Sequence, residues 1–215
     1  SGVDILCKGD NTGSVSVSVS GGLPPYSYLW NTGDVVPTVL NLPAGAYNLT
    51  VLDSNNCILS DGIVLSQPQD SISFIFVTED VLCNDGSNGS ISLTVEGGTS
   101  PYTYNWSNGS TSPFISGLTA GIYDFEVTDD NGCSLGDSLE IFQPDALVMN
   151  ETITNVSCFG FSDGIIDIQP TGGTMPYSYA WFNSNFALSS TNQDLIGYTV
   201  DIYQVIITDT NECVY

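Results

Sequence analysis

Histidine and arginine are absent from this 215-residue chain, and Lys8 is its one lysine. Set against 24 Asp and Glu residues, that leaves a net charge of −23. Without cationic side chains the chain cannot neutralise phosphates, which excludes a nucleic-acid partner. A basic contact with an anionic membrane surface is excluded in the same way. Catalysis loses its usual instruments too, since there is no imidazole base, no guanidinium and no second lysine. A carboxylate pair could hydrolyse a glycoside, but the acids recur in every repeat of the chain, and a catalytic site copied into each small unit would be unusual. The chain reads as no enzyme. Lys8 has no counterpart in the other repeats, which rules out a repeated Lys–Asn isopeptide crosslink. No run of 18 apolar residues occurs, so no helix is expected to span a membrane. The opening stretch SGVDILCKGD lacks the basic and apolar regions of a signal peptide. It starts near a repeat boundary and the chain stops inside the third repeat, so an excerpt of a longer chain, or a processed product, is expected.

What is present is repetition. The decapeptide GGLPPYSYLW (Gly21 to Trp30) returns as GGTSPYTYNW (Gly97 to Trp106) and GGTMPYSYAW (Gly172 to Trp181). A period near 75 residues divides the chain into three units, expected at 1–69, 70–145 and 146–215, the last truncated at its C-terminal end. Units of that size lie near the lower limit for a stable single core.

Each unit opens on a cysteine with a glycine six residues later: CKGDNTG at Cys7, CNDGSNG at Cys83, CFGFSDG at Cys158. Alternating runs follow, SVSVSVS at Ser14, SISLTVE at Ser90 and IIDIQPT at Ile165, and period-two alternation predicts half-buried strands. The Gly-Gly pair allows a tight path and the prolines stiffen entry to the next strand. Tyr26, Tyr28 and Trp30 share one parity, so a strand places them on one face. A small β unit needs large apolar area per residue, which makes these aromatics core. An exposed ligand platform is the competing reading. The second halves, LPAGAYNLTVLDSNNC (Leu42 to Cys57) and LTAGIYDFEVTDDNGC (Leu118 to Cys133), run from a Gly turn through a strand to an Asp/Asn turn. The third unit lacks Ala-Gly and carries extra residues before Tyr203. Gln-Pro, at Pro68 and Pro144, marks short stiff junctions. Together these patterns predict an all-β chain of tandem Ig-like β-sandwiches, six or seven strands each, forming an elongated rod.

Six cysteines at repeating spacing, with no CxxC pair and no histidine, favour disulfides in an extracytoplasmic protein over a metal site. One bridge per unit is expected: Cys7–Cys57, Cys83–Cys133 and Cys158–Cys213. Closing a loop of ~50 residues is worth about 4 kcal/mol, a large share of a small domain's stability. Asp10, Asp53, Asp85, Asp129, Asp130, Asp163 and Asp209 are expected to gather at the same pole. Oxygen-rich turns suit calcium, with Asp85, Asp129 and Asp130 as candidate ligands, against the plainer reading of solvated turns. Sequons begin at Asn48, Asn88, Asn105, Asn108, Asn150 and Asn155, about the number that so Asn-, Ser- and Thr-rich a chain yields by chance.

The succession Cys–x5–Gly, alternating strand, GGTxPYxYxW and LxAGxYxxxVTDxNGC resembles the SprB repeat of Bacteroidetes cell-surface proteins. The resemblance covers essentially the whole chain in nearly three copies. It implies an extracellular place on the bacterial surface, associated with the outer membrane, export by the type IX secretion system, and a structural part in adhesion and gliding motility. Neighbouring repeats of the same chain are the implied partners, with surfaces or polysaccharides as targets. Asp-Ser followed by an apolar residue resembles the O-glycosylation motif of these bacteria and marks Ser71 and Ser138. The alternative reading is a carbohydrate-binding array that uses exposed aromatics as sugar platforms. Burial of Trp30, Trp106 and Trp181 decides between the two.

Overall fold

The computed structural model describes residues 1–215 and contains strands but no helix. The first copy holds β1 (Gly2–Val3), β2 (Gly13–Ser16), β3 (Ser27–Trp30), β4 (Thr38–Leu42), β5 (Gly45–Leu52) and β6 (Ile58–Leu65). The second holds β7 (Ser73–Glu79), β8 (Gly89–Glu96), β9 (Thr103–Trp106), β10 (Phe114–Leu118), β11 (Gly121–Thr128) and β12 (Ser134–Ile141). The third holds β13 (Val148–Thr154), β14 (Gly164–Thr171), β15 (Ser178–Phe182), β16 (Leu188–Ser190), β17 (Leu195–Tyr198) and β18 (Gln204–Thr208). By compactness the chain divides into two units, residues 1–76, 93–113 and 124–138, and residues 77–92, 114–123 and 139–215.

Every copy is a pair of three-stranded sheets, ordered β1-β2-β4 and β3-β5-β6, then β10-β8-β7 and β12-β11-β9, then β13-β14-β17 and β16-β15-β18. In immunoglobulin lettering the first copy is A-B-E over C-F-G, which is the Ig sandwich without strand D. The third copy keeps A-B-E and C-F, adds the short β16 beside strand C, and has a single Thr208–Val214 bridge where strand G would pair. Pairing is antiparallel throughout the first copy, with Leu52 opposite Ile58 across the β5–β6 turn.

The alternation seen in the sequence sets which faces turn inward. In β2 Gly13 and Val15 are buried, while Ser14 and Ser16 are half-buried. The first core joins Val15, Val39 and Leu42 from one sheet to Trp30, Tyr47, Leu49, Val51 and Leu65 from the other. In the third copy Ile168 and Leu195 meet Trp181 and Ile207 in the same way. In the second copy Phe125 contacts Trp106 beside it and Phe74 of β7, with ring centroids 5.0 and 4.9 Å apart.

Two side chains at fixed places carry the Ig character further. The tryptophans of strand C are 5, 2 and 2 % exposed at positions 30, 106 and 181, and each indole N–H reaches a loop carbonyl, that of Val36, Ser112 or Asn192. Near the start of strand F, Tyr47, Tyr123 and Tyr203 donate to carbonyls four residues upstream, at Pro43, Thr119 and Thr199. That is the tyrosine corner of Ig domains.

The glycine of Cys–x5–Gly owes its identity to crowding. A Cβ on Gly13 would lie 2.7 Å from the Leu42 carbonyl oxygen and 2.9 Å from the Leu65 side chain. On Gly89 it would lie 2.9 Å from Ile141, and on Gly164 2.6 Å from the Tyr198 ring. Strand B enters the sandwich at a point where no side chain fits.

Candidate functional site

One loop chemistry is repeated at the end of strand F. Asp53, Asp129 and Asp209 each turn one carboxylate oxygen, Oδ1, to two N–H groups of their own turn: Asn55 and Cys57, Asn131 and Cys133, Asn211 and Cys213. The other oxygen accepts from the loop after the Gly-Gly pair, at Leu23, Thr99 and Thr174. The aspartate therefore ties the F–G turn to the B–C loop. On Asp53 the N–H groups of Cys57 and Leu23 hold the carboxyl below its ordinary range against some desolvation. On Asp209 burial pushes upward, and the N–H groups of Thr174, Cys213 and Asn211 outweigh it, so that its pKa is also lowered. Asp129 and Asp209 are each only 5 % exposed.

The B–C loop closes on itself as well. Tyr26 donates to the Gly21 carbonyl at 2.7 Å, and Tyr102 and Tyr177 donate to Gly97 and Gly172. This is the local work of the Gly-Gly…Pro-Tyr segment. Both glycines hold positive φ in every copy, and the peptide bonds before Pro25, Pro101 and Pro176 are cis.

Onto this loop-and-turn pole comes a piece of the preceding copy. Cys7 is bonded to Cys133 and Cys83 to Cys213, across 126 and 130 residues. Beside the first bridge Asn131 donates its side-chain N–H to the Leu6 carbonyl at 3.1 Å, and beside the second Asn211 does the same to Leu82 at 3.0 Å. The Gln-Pro junction is fixed to the A–B turn that carries the opening cysteine, since Gln67 accepts from Gly9 N–H and Gln143 from Asp85 N–H, both at 3.0 Å. Lys8 lies 3.8 Å from Asp70 in an exposed ion pair.

The expected pairs Cys7–Cys57, Cys83–Cys133 and Cys158–Cys213 are therefore replaced by bridges between successive copies, and Cys57 and Cys158 are free, exposed thiols. The reason is strand direction. In the first copy β1 and β4 both run antiparallel to β2 and so parallel to each other. The chain turns from β4 directly into β5, so Cys7, following β1, lies at the pole where β5 begins. Cys57 follows the end of β5, eight residues on. At about 3.3 Å per residue that is roughly 25 Å, far beyond disulfide reach. The opening cysteine follows strand A instead of preceding it, which is where the sequence reading misplaced the pole.

The gathering of acidic residues at one pole fails with it: Asp10 is on the A–B turn and Asp53 on the F–G turn of the same sandwich. Of the calcium candidates, Asp129 is buried with both oxygens engaged by N–H groups. Asp85 is an exposed turn residue at φ 57, and Asp130 is exposed with its N–H on the Thr99 carbonyl. No three acidic or thiol groups converge on a point that could hold an ion. Ser71 is exposed, and exposed Ser138 donates its hydroxyl to Asp124 at 2.6 Å. The buried tryptophans present no face to a sugar. Sequence reading missed the aspartate tie and the glutamine cap, although both recur at fixed offsets from the cysteines, a signal that was open to reading.

A family model described as SprB repeat matches residues 2–35, 75–111 and 150–186. Among solved structures, the N-terminal eight Ig domains of Down Syndrome Cell Adhesion Molecule are 11% identical over 87% of this chain and 31% of their own, with a TM-score of 0.42. The chain thus spans less than a third of that structure's length. A complex of Dpr2 Ig1-Ig2 with DIP-Theta Ig1-Ig3 is 12% identical over 97% of this chain and 92% of its own, at a TM-score of 0.28. A tetra-tandem repeat from the extending region of a large adhesion protein is 14% identical, covering 97% of this chain and 70% of its own, at 0.24. No curated protein matches the chain.

Proposed function

Because the chain belongs to the SprB repeat family, a family whose repeats are structural and fit a cell-surface role, we propose that it is a load-bearing segment of a large surface adhesin serving adhesion and gliding motility. The observation that carries this reading is the covalent tie between successive copies, Cys7 to Cys133 and Cys83 to Cys213. A spacer that transmits force gains from bonds between its modules, whereas an array of independent binding modules has no need of them. Disulfides persist in oxidising surroundings, which supports an outer-surface location. The full reading includes export by type IX secretion, an association with the outer membrane, and Ser71 and Ser138 as O-glycosylation sites. The proposed modules are 1–69, 70–145 and 146–215, arranged as an elongated rod. Their partners are further repeats of the same chain, and polysaccharides or solid surfaces are the targets of the whole adhesin.

The test is antibody raised against this chain and applied to intact source cells. The expected result is surface labelling without permeabilisation and slowed movement over glass. Labelling that requires permeabilised cells would overturn the location, and unimpeded movement of labelled cells would overturn the part in gliding. Small-angle X-ray scattering tests the rod, for which the maximum dimension should far exceed that of a compact 215-residue particle.

A further inference from the structure

The third copy departs from the other two at two places, and the fold brings those places together. Its strand-C hairpin reaches further. In the first two copies the turn begins at the tryptophan itself, with Trp30 N–H on the Asp34 carbonyl and Trp106 N–H on that of Ser110. In the third it begins two residues later, with Asn183 N–H on the Ala187 carbonyl at 3.1 Å, and leads into β16. The second departure lies in the E–F loop. Between the partners of the tyrosine corner, where the first two copies have Ala44-Gly45 and Ala120-Gly121, the third has Val200-Asp201. Asp201 joins the two places, since it accepts hydrogen bonds from the hydroxyl and the N–H of Ser184 in the hairpin turn.

The turn is firmly made. Asn183 Oδ1 accepts from the N–H groups of Asn185 and Ala187, both at 3.0 Å, and Asp201 also accepts from Ile202 N–H at 2.8 Å. What it holds outward is Phe186, at φ 57 and 80 % exposed. The same place in the turns of the other copies is taken by Gly33 and Gly109, both at positive φ, with nothing within 4 Å of a Cβ built on either. A left-handed backbone disfavours any residue that carries a Cβ. The other four non-glycine residues that adopt it are Asn41, Asn56, Asp85 and Glu212, all polar. Phe186 thus bears a conformational penalty and buries little of its ring in return. Val200 and Ile202, 71 and 77 % exposed, flank the aspartate that grips the turn.

We infer that the third copy carries a contact tip, Phe186 with Val200 and Ile202, whose partner is an uncharged apolar surface. This deepens the adhesin reading above and rests on it. A sugar site needs polar side chains set around its aromatic platform, and here the Asn183 and Asp201 oxygens are turned onto groups of the tip itself. A second copy of this chain and an anionic membrane are both opposed by charge, because a −23 chain meets its own sign in either. An uncharged, hydrocarbon-like surface meets neither obstacle and takes three exposed apolar side chains from water together. The Asp201–Ser184 tie holds them in place beforehand, so little order has to be imposed on contact.

The experiment passes the full chain over octyl-agarose and over the same agarose without octyl groups. The parent should be retained by the octyl matrix and pass through the plain one. The double variant Phe186→Gly with Ile202→Ser should be retained about tenfold less. The Tm of Phe186→Gly alone should stay at or above the parent's, because glycine suits this turn. Ile122→Ser, at the counterpart of Ile202 in the copy that has Gly109 in place of Phe186, should be retained as the parent is. Equal retention of the parent and the double variant would overturn the tip. An equal loss from Ile122→Ser would mark general surface hydrophobicity and overturn it too. Phe186-dependent retention on plain agarose would give the tip to a polysaccharide, and a dimer that Phe186→Gly dissolves would give it to a second copy; each overturns the apolar partner. None of these outcomes alters the antibody labelling of intact cells, which tests the adhesin reading separately.

Discussion

Asp129 shows how much one side chain can hold. It accepts three backbone N–H groups from two loops while 5 % exposed, and its removal strands all three. An unsatisfied buried donor costs ~1–3 kcal/mol, and with partial rescue by water Asp129→Ala should lose about 2–4 kcal/mol in denaturant melts. Its equivalents titrate. Asp53 and Asp209 have folded-state pKa values below the ordinary 3.8, so the folded chain binds fewer protons than the unfolded one. Their contribution is complete above the unfolded value and is lost as pH falls through the folded one. Protonation also relieves the repulsion of a −23 chain, an opposing trend that total stability would mix in. The clean measurement is therefore the difference in Tm between the parent chain and Asp209→Asn, which should be steady from pH 7 to 5 and shrink toward pH 2. In the sequence these aspartates read as turn formers or cation ligands. Their actual partners are N–H groups of their own turn and of a loop 30 or 35 residues earlier, a pairing that composition cannot express.

At the scale of elements, the strands were legible because alternation, Gly-Gly turns and aromatic parity all point the same way. Trp30 and Tyr28 share an inward face as their spacing requires, and both pack on the first core. The glycine of Cys–x5–Gly was legible as a recurrent position but not as a reason, since its φ is ordinary and only the assembled sandwich brings the Leu42 carbonyl over it. Gly13→Ala should accordingly cost about 1–3 kcal/mol through overpacking, read as a lowered midpoint at unchanged m-value. The third copy's missing Ala-Gly leaves strand F and its tyrosine corner in place, with Tyr203 reaching Thr199 as Tyr47 reaches Pro43. The element tolerates the altered turn because the core beneath it, Ile168, Trp181, Leu195 and Ile207, is kept.

For the whole molecule the decisive fact is which cysteine meets which. Even spacing made disulfides readable but pointed to bridges within each unit instead of Cys7–Cys133 and Cys83–Cys213, because connectivity depends on the pole at which each strand ends. Alkylation of the native chain should label two thiols, Cys57 and Cys158, and alkylation after reduction should label six. Peptide mapping should recover Cys7 joined to Cys133 and Cys83 joined to Cys213. Recovery of Cys7 joined to Cys57 would refute the junction. Loops of 126 and 130 residues are long enough that each bridge removes about 5 kcal/mol of chain entropy from the unfolded state, so reduction should lower Tm strongly. The two loops also overlap in sequence, from Cys83 to Cys133. Wherever the backbone is cut once between Cys7 and Cys213, a covalent route from Ser1 to Tyr215 survives. A cut before Cys83 or between Cys83 and Cys133 is bypassed through Cys7–Cys133, and a later one through Cys83–Cys213. A singly nicked chain should therefore keep its full mass on a non-reducing gel and fall into two pieces once reduced. Extended along a longer array, the same offset would give a fibre that no single proteolytic event can sever, a property useful to anything that drags across a surface.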